Sequence, residues 1–134
     1  MHTSITSNFM LLGDGFEPQH LAKTISLKPS EVWKIGERKI VDNPVLLHKE
    51  NGWAINVPIK PCMDLEEQIK ELISILAPHE EQILQAQKTY KLTAGFSSAV
   101  YIHNNEIPSM HFEADIINSI AKFQAFVDID IYQL

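Results

Sequence analysis

The sequence predicts an α+β domain, a mainly antiparallel sheet of about five strands with its helices mostly on one face. Three observations carry this. Trp53, Ile55, Val57 and Ile59 alternate with Ala54, Asn56 and Pro58, the period of a strand with one buried face. After Asp64, the apolar residues Leu65, Ile69, Leu72, Ile73 and Leu76 switch to helical spacing. Finally, both ends of the chain read as strand, polar loop, short helix, strand. That likeness predicts ferredoxin-like strand–helix–strand halves with a helical hairpin inserted between them.

The elements follow in order. A first strand is predicted over residues 6–12. Pro18 suits the first position of a helix at 18–26, where its missing N–H costs nothing, and Leu21 and Ile25 form its apolar stripe. Lys28-Pro29 ends that helix, because the residue before proline avoids the helical region. Residues 31–37 read as extended, with a turn at Gly36. Residues 38–51 read as an irregular loop with a short strand at 45–47. Pro58 should mark the edge or end of the Trp53 strand. Asp64 caps a helix at 64–77, with Glu67 placed to complete a capping box, and Pro78 opens a second helix at 78–88 with Glu80 and Glu81 in its first turn. From 91 to 103, Leu92, Ala94, Phe96, Ser98, Val100 and Ile102 share one face of a long strand. Asn104-Asn105 is a turn signal, since asparagine tolerates positive φ, and 108–112 is expected to return as a hairpin strand. Ile116, Ile117 and Ile120 define a helix at 113–123. The last strand points Val127, Ile129 and Ile131 inward and Asp128, Asp130 and Tyr132 outward.

At 134 residues and 45% hydrophobic, the chain is read as one domain, 1–134, with a substantial core. Its net charge of −6 and scattered basic residues argue against nucleic-acid binding. An acidic balance suits solubility or a basic protein partner. The single cysteine, Cys62, excludes an internal disulfide and fits a reducing compartment. The start, Met1-His2-Thr3-Ser4, has no basic region followed by an apolar run, and no stretch approaches a membrane span. A cytoplasmic protein without membrane contact is expected.

Leu12-Gly13-Asp14-Gly15-Phe16-Glu17-Pro18, Leu27-Lys28-Pro29-Ser30, Trp33-Lys34-Ile35-Gly36-Glu37, Trp53, and Val127-Asp128-Ile129-Asp130-Ile131-Tyr132 together resemble the bacterial domain-of-unknown-function family 4279. The resemblance runs in order over nearly the whole chain. Two residues depart from it: Glu17 stands where aspartate is usual before the proline, and Glu113 where a serine-like cap is usual. Both bear on helix capping. The family has no established activity, so the resemblance implies fold more than function, although some relatives look like immunity proteins encoded beside secreted toxins.

No motif identifies a reaction. Gly13 and Gly15 lack the third glycine and the lysine of a phosphate loop, and Asp14 and Glu17 would repel an anion, so a turn with positive φ is the better account. Cys62 has no neighbouring histidine, and the six histidines show no ligand spacing. No enzyme, cofactor or metal site is therefore expected. Asp128 and Asp130 point the same way on a strand, which suits either a solvated face or, with Tyr101, His103 and Tyr132, a polar aromatic recognition surface. Glu66, Glu67, Glu71, Glu80 and Glu81 form a second, acidic candidate on the helices, slightly preferred because it gathers more carboxylates. The functional expectation is an immunity-type protein that binds and neutralises a basic toxin domain. The alternatives are a small-ligand-binding domain built on Trp33, Trp53 and the Gly36 turn, or a hydrolase with Asp128 or Asp130 in a deep pocket beside His103.

Overall fold

The computed structural model describes residues 1–40 and 43–134, with backbone alone for 38–40 and 43–47. The described residues form seven strands and three α-helices, in the order β1 (Ser4–Gly13), β2 (Glu31–Trp33), β3 (Arg38–Ile40), β4 (Asn43–Leu47), β5 (Asn51–Pro61), α1 (Leu65–Leu76), α2 (Glu80–Tyr90), β6 (Thr93–Ile102), α3 (Ala114–Lys122) and β7 (Ala125–Gln133). Five strands make one open sheet in the order β2-β5-β1-β6-β7, and β3 and β4 pair separately. The α+β class stands, and the sheet is mainly antiparallel: only β6 and β7 run parallel. The short strand predicted at 45–47 lies within β4, while positions 41 and 42 of the predicted loop lie outside the described residues.

The core forms where the strand and helix periods meet. β1 buries every second residue, among them Ile5, Phe9 and Leu11. These join Phe96 on β6, Trp53 and Val57 on β5, Leu72 and Leu76 on α1, Ile83 on α2, and Ile116 and Ile120 on α3 in two adjoining clusters. All the helices therefore lie on one face, as predicted. Among the described residues no helix packs on the other.

Several details differ from the sequence reading. The two predicted central helices are not a hairpin but one run of 26 residues, 65–90. A 3-10 turn at Ala77–His79 interrupts it, because Pro78 has no N–H to give the preceding turn and its ring crowds that turn's carbonyl. The two ends of the chain are also unlike each other. β6, α3 and β7 form a parallel strand–helix–strand crossover, whereas β1 pairs antiparallel with β5, and the first helix is only a 3-10 segment at Pro18–Lys23. Its N-cap, Glu17, makes no capping bond; its carboxylate instead meets Lys34 Nζ at 2.9 Å.

The predicted hairpin after Asn104-Asn105 is absent. Both asparagines have positive φ, so the turn is correct, but the place beside β6 is taken by β7. Residues 108–112 run past the start of α1 instead, where Ser109 exchanges backbone bonds with Met63 and Leu65. Among the described glycines, only Gly36 has positive φ. Gly13 and Gly15, expected at positive φ, do not have it; a Cβ at Gly13 would crowd the Leu92 side chain at 3.0 Å.

β5 runs through Pro58 to Pro61. The register against β1 slips between Ile5 and Ser7, which face Lys60 and Val57, leaving one extra residue on β5. This bulge absorbs the proline, which has no ladder N–H. It also reverses the facing of the strand, so Ile59, predicted inward, is 57% exposed. Lys60, now on the helix side, reaches Glu71 at 3.0 Å.

Candidate functional site

The face left bare by the helices is the candidate site. Its residues follow from the register. On β1 it carries Asn8, Met10 and Leu12; opposite these, β6 places Ser97, Gly95 and Thr93, and β5 places Asn56, Ala54 and Gly52. The outer strands then each send an aromatic ring inward over a glycine. Trp33 of β2 sits opposite Gly52 and Phe126 of β7 beside Gly95. A Cβ on either glycine would fall inside the ring that covers it, so both positions require glycine for close approach. Gly52→Ala is accordingly expected to lift Trp33 off the sheet. Trp53 is fully buried, so a red-shifted emission arising from Trp33 alone checks this.

Further along β7, Asp128, Asp130 and Tyr132 lie beside Ser97, Ala99 and Tyr101. Tyr101 and Tyr132 stack with centroids 5.1 Å apart and planes 15° off parallel. Neither aspartate has an ion-pair partner within 4.0 Å among the described residues. His103 lies one residue past the end of β6, where its backbone N–H donates to Thr3 Oγ1 at 3.1 Å. The structure thus gathers Tyr101, Asp128, Asp130 and Tyr132 on one surface and leaves His103 at its margin.

A groove of about 510 Å³ opens on the same face. Met10 and Leu12 form its apolar floor, Trp33 and Phe126 stand at its sides, and Asn8, Glu31 and Asp128 supply polar groups. His48 stacks on Trp33 at 4.8 Å. Two amide oxygens on this face, Asn8 Oδ1 and Asn56 Oδ1, are buried without a hydrogen-bond partner among the described residues. The ligand pocket expected from Trp33, Trp53 and Gly36 is corrected here. Trp33 belongs to a groove, but Trp53 faces Leu11 in the core on the opposite side of the sheet. His103, named beside Asp128 or Asp130 in the hydrolase alternative, does not line this groove; the histidine there with Asp128 is His48.

The acidic helix surface is less coherent than its sequence suggested. Glu66 is buried at 7% exposure. Its Oε2 accepts the backbone N–H of Glu113 at 2.6 Å, and its Oε1 lies 3.4 Å from Lys70 Nζ. It therefore ties α1 to the start of α3 and is corrected from partner contact to structural support. Glu71 is paired with Lys60. Glu80 and Glu81 begin about 14 Å of helix rise beyond Glu71, so of the exposed carboxylates in the first group, Glu67 and Glu71, Glu67 is the one without an ion pair within 4.0 Å among the described residues.

The Glu113 N–H, followed by Lys70, holds the Glu66 carboxyl below its ordinary value of 4.5. A carboxyl depressed in the folded state contributes stability above its unfolded pKa, and that contribution is lost as pH falls through the folded value. The Tm of the wild-type chain should therefore fall below about pH 4.5. In Glu66→Gln, that acid limb should be shallower, as a pH series of thermal melts would record.

The sequence reading missed the ring-over-glycine pairs and the role of Glu66. Two glycines within alternating strands were the available signal for the first; the second depends on a residue 47 positions away. A family model described as "Domain of unknown function (DUF4279)" matches residues 3–134. The chain belongs to this family. No curated protein and no solved structure matches it. Among the described residues, no helix is long and apolar enough to cross a membrane.

Proposed function

We propose that this member of the DUF4279 family is a binding protein of the immunity type, whose bare sheet face captures and neutralises a basic toxin domain. The observation that supports it is the surface itself. The stacked pair Tyr101 and Tyr132 lies beside two carboxylates, Asp128 and Asp130, without ion-pair partners among the described residues. Aromatic rings supply contact area at small entropic cost, and unneutralised carboxylates favour a cationic partner. The net charge of −6 acts over longer range, steering a basic domain toward the chain. The sheet face replaces the helices as the preferred surface, because Glu66 and Glu71 are already engaged.

The test is co-purification with the product of the neighbouring gene, followed by association kinetics. Reversing both charges in Asp128→Lys/Asp130→Lys should slow association at low salt by about tenfold or more. Neutralising Glu80 and Glu81 to glutamine should change it little. A chain that neither binds its neighbour's product nor protects cells from it would overturn the reading.

A further inference from the structure

The groove between Trp33 and Phe126 has a consistent chemistry. Its floor is apolar, its sides are aromatic, and its polar lining is mostly acceptors: the carboxylates of Glu31, Glu50 and Asp128 and the Oδ1 of Asn8, buried without a hydrogen-bond partner among the described residues. Asn56 extends the same pattern. Its Nδ2 donates to Glu31 Oε1 at 3.3 Å, while its own Oδ1 has no hydrogen-bond partner among the described residues. Lys49, also in the lining, offsets one of these three carboxylates, and His48 stacks on Trp33, so the groove keeps an excess of negative charge. A ligand that suits this lining brings hydrogen-bond donors, positive charge and a flat face. An anion fails on charge and a neutral aromatic on donors. An ammonium fails on shape, since it is a compact, strongly hydrated point charge. A guanidinium meets all three requirements: it is planar, carries five N–H donors, stacks on aromatic faces, and is weakly hydrated.

We propose that this groove is a guanidinium slot, entered by an arginine side chain of a protein partner. The assignment of the partner as the source of that arginine rests on the reading above; the guanidinium chemistry does not. The groove volume of about 510 Å³ lies in the range of ligand sites and exceeds a lone guanidinium. It therefore has room for the alkyl stem, which packs along Met10 and Leu12. Asp128 belongs both to the groove and to the acidic stretch of β7, so the slot and the proposed recognition surface are continuous.

Trp33 reports on the slot, because Trp53 is fully buried. The chain is titrated with N-acetyl-Gly-Arg-Gly-amide, with its lysine counterpart, and with free L-arginine, and emission is followed. The arginine peptide should alter Trp33 emission saturably, and the lysine peptide should bind about fivefold more weakly. Phe126→Ala and Asp128→Asn, both at exposed positions, should each weaken the arginine peptide by about threefold or more. Equal binding of the two peptides, no saturable change, or indifference to both substitutions overturns the slot. Tighter binding of free L-arginine than of the capped peptide overturns the partner side chain as its source. The two readings fail separately. A neighbour's product that binds wild type, Phe126→Ala and Asp128→Asn alike removes the slot and keeps the interaction. Peptide binding without any binding of that product does the reverse.

Discussion

Phe9→Ala is expected to destabilise the fold by about 3–5 kcal/mol. Phe9 is fully buried in the middle of β1, the central strand. Its ring meets Phe96 of β6 at 5.1 Å and Phe123, just past α3, at 5.7 Å, both edge-on. Phe96 and Phe123 meet each other at 6.3 Å, so the three rings close a triangle joining the central strand, its neighbour and the last helix. Edge-on pairs contribute beyond the apolar area they bury, and alanine removes two such pairs while opening a cavity that fixed strands cannot close. A fall in Tm on the order of 10–20 °C should accompany it. Phe9→Leu, which keeps most of the volume, should cost less than half as much. Urea unfolding of both variants checks the pair. A loss for Phe9→Ala within about 1 kcal/mol of wild type would mean that the triangle does not hold these elements together.

How much of this was legible follows from how local each cause is. The β6 strand was readable because Ala94, Phe96, Ser98, Val100 and Ile102 are spaced by its own pleat, and all five are buried. The start of α1 was readable because Asp64 sits beside the N–H it caps, that of Glu66 at 3.1 Å. Strand order was not, because it depends on partners far along the chain. β7 displaced the hairpin expected at 108–112 by pairing along β6. The same event explains why Val127 and Ile131, correctly read as facing the helices, remain 45% and 54% exposed. A nine-residue α3 rises only about 14 Å, less than half the length of nine-residue β7. On the bare face, Asp128, Asp130 and Tyr132 were placed outward from alternation alone, and Tyr101 joined them through register. The groove was not visible, because it needs Trp33 and Phe126, 93 positions apart, to cover glycines on two other strands.

One buried polar residue that the sequence reading did not single out carries the second large prediction. Gln68 falls between Leu65 and Leu72 at helical spacing, on the face of α1 that packs against the sheet, and is 1% exposed. Its Oε1 accepts from Ser7 Oγ at 2.6 Å, and its Nε2 donates to the Ile5 carbonyl at 2.6 Å. Ser7 Oγ in turn lies 2.7 Å from Ser98 Oγ on β6. The site coincides with the bulge, where the β1–β5 register slips between Ile5 and Ser7 and the Thr6 hydroxyl takes the Val57 carbonyl at 2.9 Å. Side chains thus complete the hydrogen bonding where the ladder is irregular, and α1 is fixed to the sheet at one position along it. Gln68→Ala removes the side-chain donor to the Ile5 carbonyl and one of the two partners of the Ser7 hydroxyl, which keeps Ser98, at an expected cost of about 1–3 kcal/mol. Because the three side chains act as one network, the losses should not add. Ser7→Ala should cost at least about 1 kcal/mol less in the Gln68→Ala background than in wild type. Urea denaturation of the two single variants and the double variant measures that coupling directly. Strictly additive losses would show that Gln68 and Ser7 support the fold independently, and that the bulge does not need the bridge from α1.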